Sequence, residues 1–159
     1  MPDLEGLLQR LNDGHVEFVV VGGFAAVAHG SPLLTMDVDI CCHFTPANLL
    51  RLQAALADLH PVHRLTPRKL PLALTEESCR VLKNLYLETD YGQLDCLGSV
   101  TGIGDFNAAR DESVEVQTSA GPCRVLSLRA LIRAKEAMGR LRDRETVVYL
   151  KALEERQGT

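Results

Sequence analysis

The stretch from Phe18 to Ile40 reads FVVVGGFAAVAHGSPLLTMDVDI. An apolar run ends in Gly22-Gly23, a short helical segment follows, and a second apolar run carries Asp37 and Asp39. On a strand, side chains two positions apart point to the same face. The two carboxylates therefore stand side by side, where they repel each other unless a cation joins them. A hard divalent ion such as Mg2+ takes oxygen ligands at about 2.0–2.1 Å, usually one or two carboxylates together with substrate phosphates. A glycine pair at a strand-to-helix turn supplies the complement, because its backbone N–H groups can cradle phosphate. Either signal alone has an ordinary explanation, a tight turn or a pair of solvated acids. Together, between apolar strands, they predict a site for a metal-bound nucleoside triphosphate.

Working outward, Leu4, Leu7, Leu8 and Leu11 recur at helical spacing, which predicts a helix over 3–12. Glu17 to Val21 reads as a buried strand, Phe24 to His29 as a short helix closed by Gly30 and Pro32, and Asp37 to Cys42 as a second strand. Thr45-Pro46 is a helix start, a capping hydroxyl followed by proline at the first helical position, and the helix runs through Leu59. Residues 60–78 are proline-dotted and partly basic, with Arg64, Arg68 and Lys69, and have no periodicity. Leu85 to Thr89 and Gln93 to Leu97 form a hairpin about Asp90-Tyr91-Gly92. Residues 98–111 read as a glycine-rich loop. Val114 to Thr118 and Cys123 to Leu126 form a second hairpin. Ser127 caps a helix to about Met138, Gly139 to Asp143 breaks it, and a last helix reaches about Glu155. The expected fold is α/β (α+β), a mixed sheet with flanking helices.

Composition narrows the function classes. At 159 residues the chain suits one domain, and a 46% hydrophobic fraction is enough for a real core. No apolar run approaches the length of a membrane span, and the N-terminus does not read as a signal peptide. Five cysteines without a CxxC spacing argue against a disulfide framework or a zinc site and for a reduced, cytoplasmic setting. A net charge of −4 and an aromatic content of 4% argue against broad attraction to nucleic acid and against base-stacking platforms. They favour a soluble nucleotide with a small-molecule or protein acceptor. Cys41, Cys42 and His43 are adjacent rather than spaced as ligands, and His29 reads as a histidine packed at a helix end. An acid between Leu94 and Cys96 in a strand needs a reason, which marks Asp95, although Glu88 and Asp90 on the partner strand compete with it.

GGFAAVAHG followed by SPLLTMDVDI resembles the nucleotidyltransferase superfamily, the polymerase-beta-like fold. In flavour it looks like the small stand-alone bacterial enzymes related to antibiotic-modifying and toxin–antitoxin nucleotidyltransferases. The resemblance implies a nucleotidyltransferase domain over 1–159, with a core over about 15–126 and C-terminal helices over about 127–157. It puts Gly22 and Gly23 on the phosphate-binding turn, Asp37 and Asp39 on the metal-binding pair, and Asp95 on the third acidic position, as metal ligand and general base. Lys135, in LIRAKEAMGRLRD, matches a lysine that faces the nucleotide cleft; the plain alternative is a solvated helix face with Lys135 beside Glu136, and Arg140 and Asp143 read as structural at the helix corner.

The implied cofactor is Mg2+, in a two-metal site that Mn2+ can also fill, with Asp37, Asp39 and Asp95 as ligands. The implied reaction moves a nucleoside monophosphate from a nucleoside triphosphate to a hydroxyl and releases pyrophosphate. Relatives often carry an arginine shortly before the acidic pair. Here Leu33 or Leu34 stands in its place, so that phosphate contact is missing or comes from elsewhere. The alternative is a degenerate domain of the same kind, binding nucleotide, a toxin or a partner subunit without catalysis, as an antitoxin or regulator does. A Rossmann-like dinucleotide binder is poorly supported, because GGFAAVAHG lacks the spaced third glycine.

Overall fold

The first leucines wind into helix α1 (Leu4–Asp13), capped by Asp3, whose carboxylate accepts from the Gly6 N–H at 2.9 Å. The computed structural model describes residues 2–32 and 34–157. Strand β1 (Phe18–Val21) is buried along its whole length and turns directly into α2 (Gly22–Ala28). Strand β2 (Asp37–Cys42) follows, then α3 (Pro46–Leu56), whose cap is Thr45 and whose first residue is proline, as expected. A 3-10 turn over Ala57–Leu59 leads to the short β3 (Val62–His63), and α4 (Glu76–Cys79) precedes the hairpin β4 (Asn84–Thr89) and β5 (Gly92–Leu97). After it come the two-residue strands β6 (Ser99–Val100) and β7 (Gly104–Asp105) and helix α5 (Phe106–Asp111). A second hairpin, β8 (Ser113–Thr118) and β9 (Gly121–Leu126), feeds α6 (Leu128–Met138) and α7 (Leu141–Gln157).

Among the described residues the main sheet has seven strands in the order β3-β4-β5-β2-β1-β9-β8. It is mixed: β2 pairs parallel with β5 and β1 parallel with β9, while the β1–β2 pair and the hairpins are antiparallel. This is the mixed α/β class the element order predicts. One face of β2 carries Val38 and Ile40, both fully buried, with Cys42, whose thiol receives Asn48 Nδ2 of α3 at 3.4 Å. Leu7, Leu8 and Leu11 of α1 and Leu49, Leu52 and Leu56 of α3 are fully buried in the same core. Each such leucine contributes about 1.5–3 kcal/mol of transfer free energy. Fully buried Asn48 ties α3 to the start of β1: its Oδ1 accepts from the Glu17 N–H at 2.7 Å, and its Nδ2 donates to the carbonyls of Glu17 and His43. The other face of the sheet presents Asp37, Asp39 and Asp95, and α6 packs near it.

Three expectations need correction. Residues 98–111 are not a loop throughout: Asp105 caps α5 by accepting from the Ala108 N–H at 3.0 Å. That helix buries only Phe106 and Ala109, too few positions to leave a period in the sequence. The helix after β1 starts at Gly22 itself rather than at Phe24, and the last helix starts at Leu141. No helix among the described residues is long and apolar enough to cross a membrane.

Candidate active site

Strands β2 and β5 run side by side with Asp39 opposite Asp95 and Asp37 opposite Gln93. Parallel register with even spacing therefore brings three carboxylates onto one face of two hydrogen-bonded strands. On the other side of β2, antiparallel β1 places Val21 opposite Asp39, and the chain turns into α2 at that point. Gly22 adopts φ +69°, and a Cβ there would lie 2.4 Å from Asp39 Oδ2. Glycine is needed twice over, for the left-handed backbone and for the close approach. A Cβ added to Gly23 would lie 3.1 Å from the Thr35 hydroxyl oxygen, and that hydroxyl donates to the Asp37 carbonyl.

Burial, then the neighbouring charges of Asp95 and Asp37, push the Asp39 carboxyl up to about 6, against the opposing pull of Lys135 and Arg64. Of the three acids weighed for the third position, Asp95 is the one that faces Asp39. Glu88 on β4 pairs with Lys69 at 2.6 Å, and Asp90 in the hairpin turn pairs with His60 at 2.7 Å.

Asp95 already has a partner. Arg64 Nε donates to its Oδ1 at 3.1 Å, and Nη2 donates to Oδ1 at 2.8 Å and to Oδ2 at 2.6 Å. The guanidinium lies 5.6 Å from the centre of the Tyr86 ring, and the Arg64 backbone N–H donates to the Tyr86 carbonyl. Sequence reasoning missed Arg64. It stands in the aperiodic segment 60–78, one residue past a two-residue strand, and only the β3–β4 pairing brings it to the acids.

The opposite wall comes from the C-terminal helices. Lys135 on α6 is one-quarter exposed and has Asp143, not Glu136, as its acidic neighbour, at 3.7 Å; Glu136 has Lys151 at 3.9 Å. Asp143 is buried, and Arg140 Nε donates to it at 2.6 Å, which holds its carboxyl below the ordinary range. Gly139, at φ +68°, ends α6 so that these residues can meet at the corner. Two cavities open between the walls and share Gly22, Leu131 and Lys135. One, of about 130 Å³, is lined by Gly22, Gly23, Ser31, Thr35, Lys135 and Thr146. The other, of about 250 Å³, is lined by Asp39, Leu97, Leu131, Arg140 and Arg142 among others.

The remaining candidates are structural. His29 Nε2 hydrogen-bonds the Leu126 carbonyl at 2.9 Å. Cys41 and Cys42 are buried free thiols whose pKa values burial pushes up to about 11 and about 12. Leu34 is exposed and Leu33 lies outside the described residues; the basic groups that act on Asp39 are Lys135 and Arg64.

A hard cation suits this donor set in kind and charge: carboxylate oxygens, with Asp39 pushed up by burial and then by the charges of Asp95 and Asp37. Asp37 and Asp39 are the residues that could hold it. Asp95 is turned to Arg64, and among the described residues no three His, Cys, Asp or Glu side chains converge as a metal-binding group.

No family model matches the chain, and no curated protein matches it in sequence. Solved structures do match in shape. A provisionally assigned nucleotidyltransferase from Thermotoga maritima superposes with a TM-score of 0.57 at 22% identity, over 96% of this chain and 91% of its own. ANT(2")-Ia, solved in complex with adenylyl-2"-tobramycin, gives a TM-score of 0.52 at 15% identity, over 97% and 96%. The fold is nucleotidyltransferase-like.

Proposed function

We propose that the chain is a nucleotidyltransferase that moves a nucleoside monophosphate from a nucleoside triphosphate to a hydroxyl of a small molecule or protein and releases pyrophosphate. The observation that carries this is the register: Asp39 faces Asp95 across a parallel strand pair, beside Asp37 and under the glycine turn. Asp37 and Asp39, with Asp95 once it is free, would hold Mg2+ or Mn2+. Bound there, the metal would supply positive charge for the attacking and leaving oxygens.

The chain's own residues account for the rest. Gly22 and Gly23 let phosphate approach the backbone where a side chain would block it. Lys135, on the facing wall, offers a cation to the phosphates from the shared edge of both cavities. The acceptor oxygen attacks the α-phosphorus, the bond to the pyrophosphate oxygen breaks, and Asp95 takes the hydroxyl proton. The reduced cytoplasm is the expected setting.

The fold neighbours support this reading at the level of nucleotidyl transfer. A second reading, a binding module without catalysis that serves as an antitoxin or regulator, is favoured by the grip of Arg64 on Asp95 and by the leucine in place of the arginine before Asp37.

Calorimetry with ATP, GTP, CTP and UTP in the presence of Mg2+ tests the proposal, on wild type and on Asp37→Asn/Asp39→Asn. Metal-dependent binding that the double variant loses is expected. Absence of binding to all four, or equal binding by the variant, would overturn the metal-nucleotide site. Binding without pyrophosphate release across an acceptor panel would leave the module.

A further inference from the structure

We propose that Arg64 is a positioning residue that reserves Asp95, so that the acidic cluster loads in two steps: first a cation on Asp37 and Asp39, then a second only when a nucleotide draws the guanidinium away. This rests on the reading of the site as one for metal-bound nucleotide.

An ionised carboxylate offers about four lone-pair positions. Three hydrogen bonds from Arg64 engage both oxygens of Asp95. A carboxylate held in this way is a poor cation ligand and a poor base. The arginine is itself held from behind, by the Tyr86 ring on one side and by its backbone hydrogen bond to the Tyr86 carbonyl. Both partners are mostly buried, at 23% and 16% side-chain exposure, so solvent screens the pair weakly.

The guanidinium also acts on Asp37 and Asp39, and so stands as a counter-ion to all three acids. Arginine stays protonated throughout the working pH range, so pH does not open this contact. Opening it takes a competing positive charge at Asp95 together with a better acceptor for the guanidinium. A nucleoside triphosphate carrying its own cation brings both. Its phosphate oxygens match the guanidinium fork, and its cation replaces the fork on Asp95. The same arginine then provides a positive charge that the segment before Asp37 lacks. Asp95 becomes available to take a proton only when donor nucleotide is in place, which protects the site from acting before it is filled.

Manganese titration without nucleotide, followed by electron paramagnetic resonance of the free ion, reads the loading directly. Wild type is expected to bind one Mn2+ per chain, and a second only when a non-hydrolysable triphosphate analogue is added. Arg64→Gln is expected to bind two without nucleotide, the first at least about tenfold tighter, because a unit positive charge has left the cluster. Arg64→Lys, which keeps the charge but not the fork, is expected to bind the first ion within about threefold of wild type.

Two Mn2+ on nucleotide-free wild type would overturn the proposal without any variant having to fold. So would an Arg64→Gln chain, shown to be folded by its circular dichroism, with wild-type stoichiometry and affinity. If Asp37→Asn abolishes Mn2+ binding while Arg64→Gln changes nothing, the role of Arg64 fails and the metal-nucleotide site stands. If wild type binds no Mn2+ with or without the analogue, both fail.

Discussion

Replacing Asp39 with asparagine is expected to stabilise the protein while destroying its use for a cation. In the folded chain the Asp39 carboxyl sits at about 6, against 3.8 for the free group, because of burial first and the neighbouring acids second. A carboxyl raised in the folded state contributes stability that is fully present below pH 3.8 and is lost as the pH rises through about 6. Each tenfold in the proton equilibrium is worth 1.36 kcal/mol, so ionising Asp39 costs the fold about 3 kcal/mol above that window.

The asparagine never ionises and avoids this cost. Wild type and variant are expected to be about equally stable near pH 4. They diverge as the pH rises, until the variant melts about 6–12 °C higher at pH 8. Thermal denaturation at several pH values in the presence of a chelator measures the difference, and subtracting the two profiles removes the titrating groups that do not interact with Asp39. Added Mg2+ is expected to raise the melting temperature of wild type alone. A variant that melts at or below wild type at pH 8, or a difference that does not change between pH 4 and pH 7, would refute the reasoning that burial and the neighbouring acids penalise the Asp39 carboxylate in the folded state.

Other substitutions test the walls of the site. Gly22→Ala combines a left-handed backbone with a Cβ driven onto Asp39 Oδ2, and is expected to lose about 2–4 kcal/mol in urea denaturation, with an unchanged midpoint as the contrary result. Asp143→Ala leaves Lys135 and Arg140 without the carboxylate they share. It is expected to lose about 1–3 kcal/mol and to weaken triphosphate binding through Lys135, so wild-type affinity for ATP would show that Asp143 does not position that lysine.

How much of this was legible in the sequence depends on distance along the chain. The glycine turn and the acidic pair lie within one short segment, where strand period and turn chemistry are local rules, so their placement on β1, α2 and β2 could be read directly. Asp95 could be favoured, but not secured against Glu88 and Asp90, because the register between β2 and β5 is a pairing of distant strands. Once that pairing exists, Lys69 and His60 account for the other two acids. Lys135 stood out by resemblance, yet its neighbour Asp143 lies across a helix corner that only Gly139 makes tight. Arg64 was illegible, since a two-residue strand leaves no period and the contact it makes spans 31 positions.

The junction between β9 and α6 limits how the cleft can work. Only Ser127 separates the strand from the helix, its hydroxyl accepting from the Ala130 N–H at 3.2 Å, and β9 is the parallel neighbour of β1. The jaw that carries Lys135 and the jaw that carries Gly22 thus grow from adjacent strands of one sheet, with no linker between them to serve as a pivot. Closing the cleft as a clam closes would tear that strand pair. Under the proposed function, shielding the reacting phosphate from water would therefore fall to whatever enters: nucleoside and acceptor would have to stopper the cleft with their own bulk, and an acceptor too small to do so would leave hydrolysis as the competing outcome.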